Sequence, residues 1–342
     1  MDYRPTSGPC GGPGIPDAHG RRASYLRVSV TDRCNLRCAY CTPAASFCPK
    51  PHQEILTYEE ILAVVTQAVA MGVRKVRLTG GEPLVRRGLE TLVEKIAALP
   101  GLLDLCLTTN GVLLADRAKA LADAGLKRIN VSLDSLDAET FARITGRDAL
   151  DSVLSGLEAA EAAGLSPTKI NVVPLAGINA REAPDFARLT LEKPVAVRFI
   201  ELMPVGPAAS RNRVAGVDTQ TIRRAVEDAL GPLSPIPGHD LLDGPAERFA
   251  LAGAKGEVGF ITPVTGHPCP SCNRLRLTAD GKLRPCLLSD AETDIRSVLR
   301  SGGSERDIQQ ALAAAVAAKP AAGPRNQGVL SGCARVMHSI GG

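Results

Sequence analysis

Short runs of aliphatic and β-branched residues alternate with longer helix-like segments along the first two hundred residues. Six runs read as strands, at residues 25–30, 73–79, 103–108, 128–133, 169–173 and 195–201. Helical stretches lie between them, near residues 58–71, 87–99, 115–124, 152–163 and 181–189. Repeated βα units predict an α/β fold with a buried parallel sheet. Because six units fall short of a closed eight-unit barrel, we expect an incomplete (βα)6 barrel, with functional side chains at the carboxyl ends of its strands.

The regular alternation stops near residue 203, where Gly and Pro become frequent. Short strands at residues 257–261 and 274–277 and helices near 294–300 and 306–318 follow. We expect a disordered leader at residues 1–20 and a barrel at 21–205. A C-terminal covering segment should occupy residues 206–325, followed by a mobile tail at 326–342 that ends in Gly-Gly.

Composition excludes several classes of protein. No stretch approaches the roughly 18 consecutive apolar residues of a membrane span, and the first twenty residues do not read as a signal peptide. Ten cysteines without an export signal indicate a reducing compartment, by default the cytoplasm. A net charge of +4, 3% aromatic residues and no Trp disfavour nucleic-acid binding. We therefore predict a cytoplasmic protein with neither a membrane nor a nucleic-acid partner.

Three cysteines with C-x3-C-x2-C spacing follow the first predicted strand: Cys34, Cys38 and Cys41. Three thiolates in a loop can hold three irons of a 4Fe–4S cluster. The fourth iron would then accept the amino and carboxylate groups of S-adenosylmethionine (SAM). Two alternatives remain open. One is a buried stripe of cysteines on a helix, and the other is a zinc site with Cys48 as the only local candidate for a fourth ligand.

A second set of three cysteines lies in the covering segment, with Cys269 and Cys272 in a C-x2-C pair and Cys286 after thirteen intervening residues. This set could hold a second 4Fe–4S cluster whose open iron binds substrate directly. His267 could instead complete a zinc site, so that alternative also stays open.

Polar residues follow three successive predicted strands. Gly80, Gly81 and Glu82 follow the second strand, where backbone without Cβ atoms can approach a ligand and a carboxylate can receive an ammonium group. Polar runs also end the third and fourth strands, at residues 108–111 and 132–135. Each run alone could be a turn or a helix cap. Because successive parallel strands end at one rim, the three runs together predict a binding site there.

Basic residues recur on the predicted strands, at Arg27, Arg77, Lys169, Arg274 and Arg276. Arg274 and Arg276 are two positions apart, so they share one face of a strand. Singly, such residues on a barrel with apolar inward positions read as outward-facing surface charge. Together they suit a triphosphate, which the planar guanidinium binds with paired hydrogen bonds. Arg198 either joins them or pairs with Glu201.

Taken together, these segments resemble the GTP 3′,8-cyclases of molybdenum cofactor biosynthesis, a family of radical SAM enzymes. The resemblance covers residues 26–342 and rests on residues 29–38, 77–84, 107–111, 130–137, 198–201, 274–283 and 341–342. It implies SAM and two 4Fe–4S clusters as cofactors. The SAM-cleaving cluster would be held by Cys34, Cys38 and Cys41, and an auxiliary cluster by Cys269, Cys272 and Cys286.

The resemblance also implies site residues. The SAM contacts would be Tyr40, Gly81, Glu82, Ser132 and Met203. The GTP contacts would be Arg27, Arg77, Thr108, Lys169, Arg274 and Arg276. Of these, Arg274 and Arg276 would also be the catalytic residues.

The implied reaction begins when a 5′-deoxyadenosyl radical abstracts the ribose 3′ hydrogen of GTP. The carbon radical then attacks guanine C8, and reduction of the resulting aminyl radical gives 3′,8-cyclo-7,8-dihydro-GTP. The open iron of the auxiliary cluster would take the guanine edge, and the Gly-Gly tail would enter the active site. The implied partners are GTP, SAM, an electron donor and the next enzyme of the pathway, cyclic pyranopterin monophosphate synthase. A homodimer stays open.

Three positions depart from the usual pattern of this family: Thr42, Pro174 and the Met337-His338 pair in the tail. Two other functions remain to be separated from the cyclase. One is a radical SAM enzyme that modifies peptides with the help of an auxiliary cluster. The other is a zinc-stapled binding module without enzymatic activity.

Overall fold

The computed structural model describes residues 13–41, 47–205, 215–238, 244–266, 269–323, 325–326, 329–330 and 333–341. The strands are β1 (Ile15–Pro16), β2 (Arg22–Ala23), β3 (Tyr25–Ser29), β4 (Lys75–Thr79), β5 (Asp104–Thr109), β6 (Arg128–Ser132), β7 (Lys169–Val172), β8 (Ala196–Ile200), β9 (Ser234–Pro235), β10 (Glu247–Ala250), β11 (Glu257–Ile261), β12 (Arg274–Leu277), β13 (Lys282–Arg284), β14 (Thr293–Asp294), β15 (Arg325–Asn326) and β16 (Val329–Leu330). The α-helices are α1 (Tyr58–Ala70), α2 (Leu89–Ala97), α3 (Ala118–Asp123), α4 (Ala138–Thr145), α5 (Leu150–Ala162), α6 (Ala183–Glu192), α7 (Thr219–Leu230), α8 (Ile295–Arg300), α9 (Glu305–Ala317) and α10 (Met337–Ile340).

One twelve-stranded sheet organises the fold, in the order β14-β13-β12-β3-β4-β5-β6-β7-β8-β11-β10-β9. The six strands predicted from the sequence are β3 to β8, and they are parallel neighbours. The covering segment adds β11 beside β8 and β12 beside β3, both in parallel. The predicted α/β partial barrel is confirmed, and strands from the covering segment extend it at both edges.

The two faces of the parallel strands have different chemistry, because successive side chains point to opposite faces. On the outer face, Leu26, Val76, Leu107 and Val197 are fully buried in the hydrophobic core. The inner face carries polar and charged side chains, among them Arg77. The expectation that inward positions are apolar is therefore wrong, because the sheet encloses a binding cavity in place of a packed interior.

Five of the helices begin at a residue whose side chain caps them: α1, α4, α7, α8 and α9. Thr57 and Glu60 form a capping box at the start of α1. Helices α4 and α7 were not expected from the sequence, although each follows an aspartate cap: Asp137 accepts a hydrogen bond from the Thr140 amide, and Asp218 from the Thr221 amide. None of the helices in the described ranges is long and apolar enough to cross a membrane.

The first residues of the chain differ in part from the predicted disordered leader. Residues 1–12 of the expected leader lie outside the described residues, but residues 13–20 are described. Strand β1 pairs with β2, and Ile15 is only 2% exposed. Because this side chain packs into the core, the disordered leader was predicted to extend too far. At the other end, Ile340 in α10 is buried, and mobility of the tail stays a prediction.

Candidate active site

A cavity of about 370 Å³ lies inside the curved sheet and is lined by residues from all eight parallel strands. Both sets of cysteines line it: Cys34, Cys38, Cys41, Cys269, Cys272 and Cys286. The first set lies in the loop after β3, and the second on either side of the β12–β13 hairpin. The fold therefore brings together two groups that are more than two hundred residues apart in sequence.

The loop of the first cysteine set is held by short backbone contacts. The Cys41 amide donates to the Cys38 carbonyl at 3.0 Å, and the Leu36 amide donates to Cys34 Sγ at 3.4 Å. Burial raises the pKa of the Cys38 thiol well above its usual value, and the neighbouring Cys41, Asp134 and Cys34 raise it further. Acidic groups crowded in this way are suited to a cationic centre, which would bind the sulfurs as thiolates.

The glycine pair after β4 packs directly against this loop. The Gly81 amide donates to the Thr31 carbonyl at 2.7 Å. A Cβ atom at Gly81 would lie 2.3 Å from the carbonyl oxygen of Arg33. Only glycine therefore allows the two loops to meet, and Gly81 itself lines the cavity.

Glu82 ties together the loops that follow β4 and β5. Its carboxylate accepts hydrogen bonds from the Thr109 hydroxyl at 2.7 Å, the Asn110 amide at 2.6 Å and the Leu84 amide at 3.0 Å. Burial raises the pKa of Glu82 to about 7 even though these hydrogen bonds lower it. Glu82 also lines the cavity. Its contact with SAM stays a prediction, whereas its hydrogen bonds to the two loops are observed.

The remaining expected SAM contacts also line the cavity: Tyr40, Ser132 and Met203. The Tyr40 hydroxyl donates to Asp134 at 2.6 Å, and the Val173 amide donates to the same carboxylate at 2.8 Å. Burial raises the pKa of Asp134 to about 6. Asp134 thereby fixes the position of Tyr40 beside the first cysteine set.

The second cysteine set receives hydrogen bonds from a segment that sequence reasoning missed. Lys319 Nζ lies 3.3 Å from Cys272 Sγ, and the Gly323 amide lies 3.3 Å from Cys269 Sγ. Burial alone would raise the pKa of the Cys272 thiol, but the Arg274 guanidinium and the Lys319 ammonium lower it to about 6. Cys272 is therefore suited to binding a metal through thiolate sulfur.

Each zinc alternative needs a fourth ligand beside its three cysteines. Cys48 is exposed and is not among the described residues that line the cavity. His267 lies outside the described residues, as does Thr42. In the described part of the chain, no three His, Cys, Asp or Glu side chains are grouped to hold a single metal ion. A cluster differs from a single ion because each thiolate binds its own iron, and each set supplies three cysteines at the cavity for three irons.

The expected arginines face the cavity, not the solvent: Arg27, Arg77, Arg274 and Arg276. Arg27 lies in register between Arg77 on β4 and Arg276 on β12. Burial lowers the pKa of Arg27 to about 10, and repulsion from Arg77 and Arg274 contributes to the decrease. Buried cations that repel one another favour binding of a multiply charged anion.

Arg77 and Arg276, which flank Arg27, each donate a hydrogen bond to another part of the chain. Arg77 Nη1 donates to the Thr108 hydroxyl at 3.1 Å, and Arg77 Nε has no hydrogen-bond partner among the described residues. Arg276 Nη1 donates to the Gly341 carbonyl at 3.0 Å. The tail therefore reaches the same cavity, while Gly342 lies outside the described residues.

Arg198 joins the cavity wall. Its Nη2 lies 3.9 Å from Glu257 Oε1. The Glu201 carboxylate instead accepts hydrogen bonds from the Val264 amide at 2.9 Å and the Thr265 amide at 3.0 Å. Of the two alternatives left open by the sequence, the structure favours a cavity role for Arg198.

Lys169 differs from the other expected GTP contacts. It is 5% exposed and is not among the described residues that line the cavity. Burial lowers its pKa from 10.5 to about 7, with further repulsion from Arg198, Arg128, Lys75 and Arg77. Its contact with GTP stays a prediction, which would require the side chain to extend into the cavity.

The low pKa of Lys169 predicts a specific pH dependence. Between about pH 7 and its ordinary pKa of 10.5, the unfolded chain binds a proton that the folded chain does not. Stability therefore rises with pH in this window. Urea unfolding at about pH 7 and about pH 9 should show the free energy of unfolding of the native sequence rising by about 1–2 kcal/mol relative to Lys169→Met. Parallel changes in the two proteins would contradict the assignment.

Three cavity residues on the strands were not singled out from the sequence: Tyr25, Asn130 and Asn171. Each lies two positions from a predicted site residue on the same strand, so alternation along the strand could have identified it. His338, in the tail, also lines the cavity. His338 is 3% exposed, and its ring centroid lies 5.5 Å from that of Phe47. The unusual tail residue therefore packs at the cavity.

Comparisons with known proteins match this geometry. The Radical SAM superfamily matches residues 28–190, and Molybdenum Cofactor Synthesis C matches residues 195–323. The GTP 3′,8-cyclase of Moorella thermoacetica is 49% identical over 329 residues, which are 96% of this chain and 100% of the relative. The GTP 3′,8-cyclase of Thermodesulfovibrio yellowstonii is 48% identical over 307 residues, covering 90% of this chain and 94% of the relative.

Among solved structures, Streptococcus suis SuiB bound to precursor peptide SuiA has a TM-score of 0.60 at 15% sequence identity. The match covers 82% of this chain and 65% of SuiB. Identity this low shows a shared fold alone. The resemblance drawn from the sequence motifs is confirmed by the close relatives, and the chain belongs to the GTP 3′,8-cyclase family of radical SAM enzymes.

Proposed function

We propose that this chain converts GTP to 3′,8-cyclo-7,8-dihydro-GTP in molybdenum cofactor biosynthesis. One observation carries the proposal: two cysteine sets and a group of buried arginines line a single cavity. The close relatives with this activity support it over nearly the whole chain. SAM and two 4Fe–4S clusters are the cofactors of this family.

The two cysteine sets would hold the clusters. Cys34, Cys38 and Cys41 would bind the one that, when reduced, cleaves SAM to give the 5′-deoxyadenosyl radical that abstracts the ribose 3′ hydrogen. Gly81 allows the loop after β4 to pack against this loop, and Asp134 holds Tyr40 beside it. Cys269, Cys272 and Cys286 would hold the auxiliary cluster at the guanine end of the substrate.

The arginines would bind and orient the triphosphate. Arg27, Arg77 and Arg276 lie in adjacent register on three strands, so their guanidiniums can reach the same chain of phosphates. Arg274 lies beside Cys272 and would connect the phosphate site with the auxiliary cluster. Charge-assisted hydrogen bonds from rigid strands fix the ribose relative to SAM, which matters because hydrogen abstraction needs close contact.

The peptide-modifying alternative has weaker support. SuiB is bound to precursor peptide SuiA, but it shares only 15% identity with this chain. The relatives at 48–49% identity are GTP 3′,8-cyclases. The row of buried arginines also favours a compact polyanion over a peptide.

The decisive experiment is anaerobic reconstitution with iron and sulfide, followed by incubation with SAM, a strong reductant and GTP. We expect 5′-deoxyadenosine to form in a GTP-dependent manner, together with the cyclised nucleotide. ATP serves as a matched control, because it carries the same triphosphate without the guanine base. Protein that contains no iron and sulfide, or that cleaves SAM equally well without GTP, would contradict the proposal.

Partners and location follow from the same chemistry. An external electron donor would reduce the clusters, and cyclic pyranopterin monophosphate synthase would receive the product. The nine cysteines in the described part of the chain form no disulfides, as expected in a reducing compartment such as the cytoplasm. Co-purification with that synthase tests the proposed transfer, and a homodimer is tested by light scattering.

A further inference from the structure

The segment that follows α9, residues 319–323, lies against the second cysteine set. Lys319 is only 4% exposed. Its ammonium group donates to Cys272 Sγ at 3.3 Å, to the Arg274 carbonyl at 2.7 Å and to the Pro285 carbonyl at 3.0 Å. Cys272 and Arg274 belong to the segment that carries Cys269 and Cys272, whereas Pro285 directly precedes Cys286. Lys319 therefore contacts both segments that carry the second cysteine set.

The acceptors of Lys319 explain why a buried ammonium group is tolerated there. The partners given by the structure are one sulfur and two carbonyl oxygens, so Cys272 is the group among them that can carry negative charge. A buried ammonium group is costly unless it is paired with an opposite charge and hydrogen-bonded. A cysteine bound to metal is a thiolate at all times and supplies that charge.

Neighbouring contacts hold the segment in place. The Gly323 amide donates to Cys269 Sγ at 3.3 Å. Arg21 Nη2 donates to the Pro320 carbonyl at 2.7 Å, and Arg21 Nη1 donates to the Cys269 carbonyl at 2.9 Å. Arg21 is itself paired with Asp17 at 2.5 Å. The segment is therefore fixed against the cysteines from the opposite end of the chain.

We propose that Lys319 is a positioning residue for the auxiliary cluster, holding the Cys272 sulfur in place and raising the reduction potential of the cluster. This inference rests on the proposed function, because it needs a cluster on Cys269, Cys272 and Cys286. Hydrogen bonds and positive charge at a cluster sulfur favour the reduced state. Lys319 thereby makes the auxiliary cluster easier to reduce.

The test uses the reconstituted full chain with Lys319→Met, which keeps an unbranched side chain without the charge. Iron content and the midpoint potential of each cluster are measured by redox titration with electron paramagnetic resonance. We expect the equilibrium constant for reducing the auxiliary cluster to fall about tenfold, or about 59 mV for one electron, or iron to be lost from that cluster alone. The SAM-cleaving cluster in the same molecule should be unchanged.

Two further variants make the result specific. Lys319→Arg keeps a charged donor and should retain most of the native potential. Lys282→Met removes a lysine of the same covering segment that pairs with Asp294 at 2.6 Å, and both clusters should keep their potentials. An unchanged auxiliary cluster in Lys319→Met, or equal loss of both clusters, would overturn the inference. If native protein holds only one cluster, the proposed function itself fails.

Discussion

Replacing Cys38 with alanine is expected to abolish SAM cleavage and to remove about half of the iron. Cys38 is one of three thiols in the loop after β3, and two thiolates cannot hold three irons of the cluster. The second cysteine set flanks the β12–β13 hairpin, far from this loop in sequence, so its cluster should remain. Iron and sulfide analysis together with 5′-deoxyadenosine production after anaerobic reconstitution measures both effects.

Cys48→Ala is the matched control for that experiment. Cys48 is close in sequence, but it is exposed to solvent. Its removal should leave iron content and SAM cleavage unchanged, whereas a fourth zinc ligand would be essential for metal binding. Equal losses in the two variants would support the zinc alternative and contradict the cluster assignment.

Arg276→Met is expected to stabilise the ligand-free protein while it weakens GTP binding. Arg276 is 6% exposed, and burial together with repulsion from Arg27 and Arg274 lowers its pKa well below the usual value. Removing the charge relieves that repulsion, so the melting temperature without GTP should rise. Loss of charge-assisted hydrogen bonds to phosphate should reduce kcat/KM for GTP by roughly 100-fold.

Arg128→Met provides a control with the opposite stability effect. Arg128 pairs with Asp104 and is not among the described residues that line the cavity. Its loss leaves a buried carboxylate with less compensation, so stability should decrease while GTP affinity is retained. A lower melting temperature in Arg276→Met would show that this arginine serves the fold more than the ligand.

Local patterns were sufficient to predict strands β3 to β8, because their β-branched runs form a buried parallel sheet. Strands β11 and β12 were also found, but their places beside β8 and β3 were not. Pairing between Arg27 on β3 and Arg276 on β12 is a non-local contact, and no pattern within either segment specifies it. The resemblance to the cyclases implied that both cysteine sets serve one substrate, and both sets line one cavity.

Two features of the site required the three-dimensional structure. Lys319 follows an alanine-rich helix and looks like an exposed residue at a helix end, yet it is buried against Cys272. Arg77, taken singly, was interpreted as outward-facing because the interior of the barrel was expected to be apolar, but that interior is polar. In both cases, the side chain's chemistry depends on distant chain segments that sequence periodicity cannot identify.

The pairing of β12 with β3 also determines when the nucleotide site can form during synthesis. Ser24 and Asn273 are hydrogen-bonded at this edge although they are 249 residues apart. At about 5–20 residues per second, the ribosome needs roughly ten to fifty seconds to supply the missing partner. Until then the nascent β3 strand presents unpaired backbone groups, which are prone to pair with other chains. A polypeptide that terminates before residue 274 would carry the first cysteine set but could not complete the phosphate pocket.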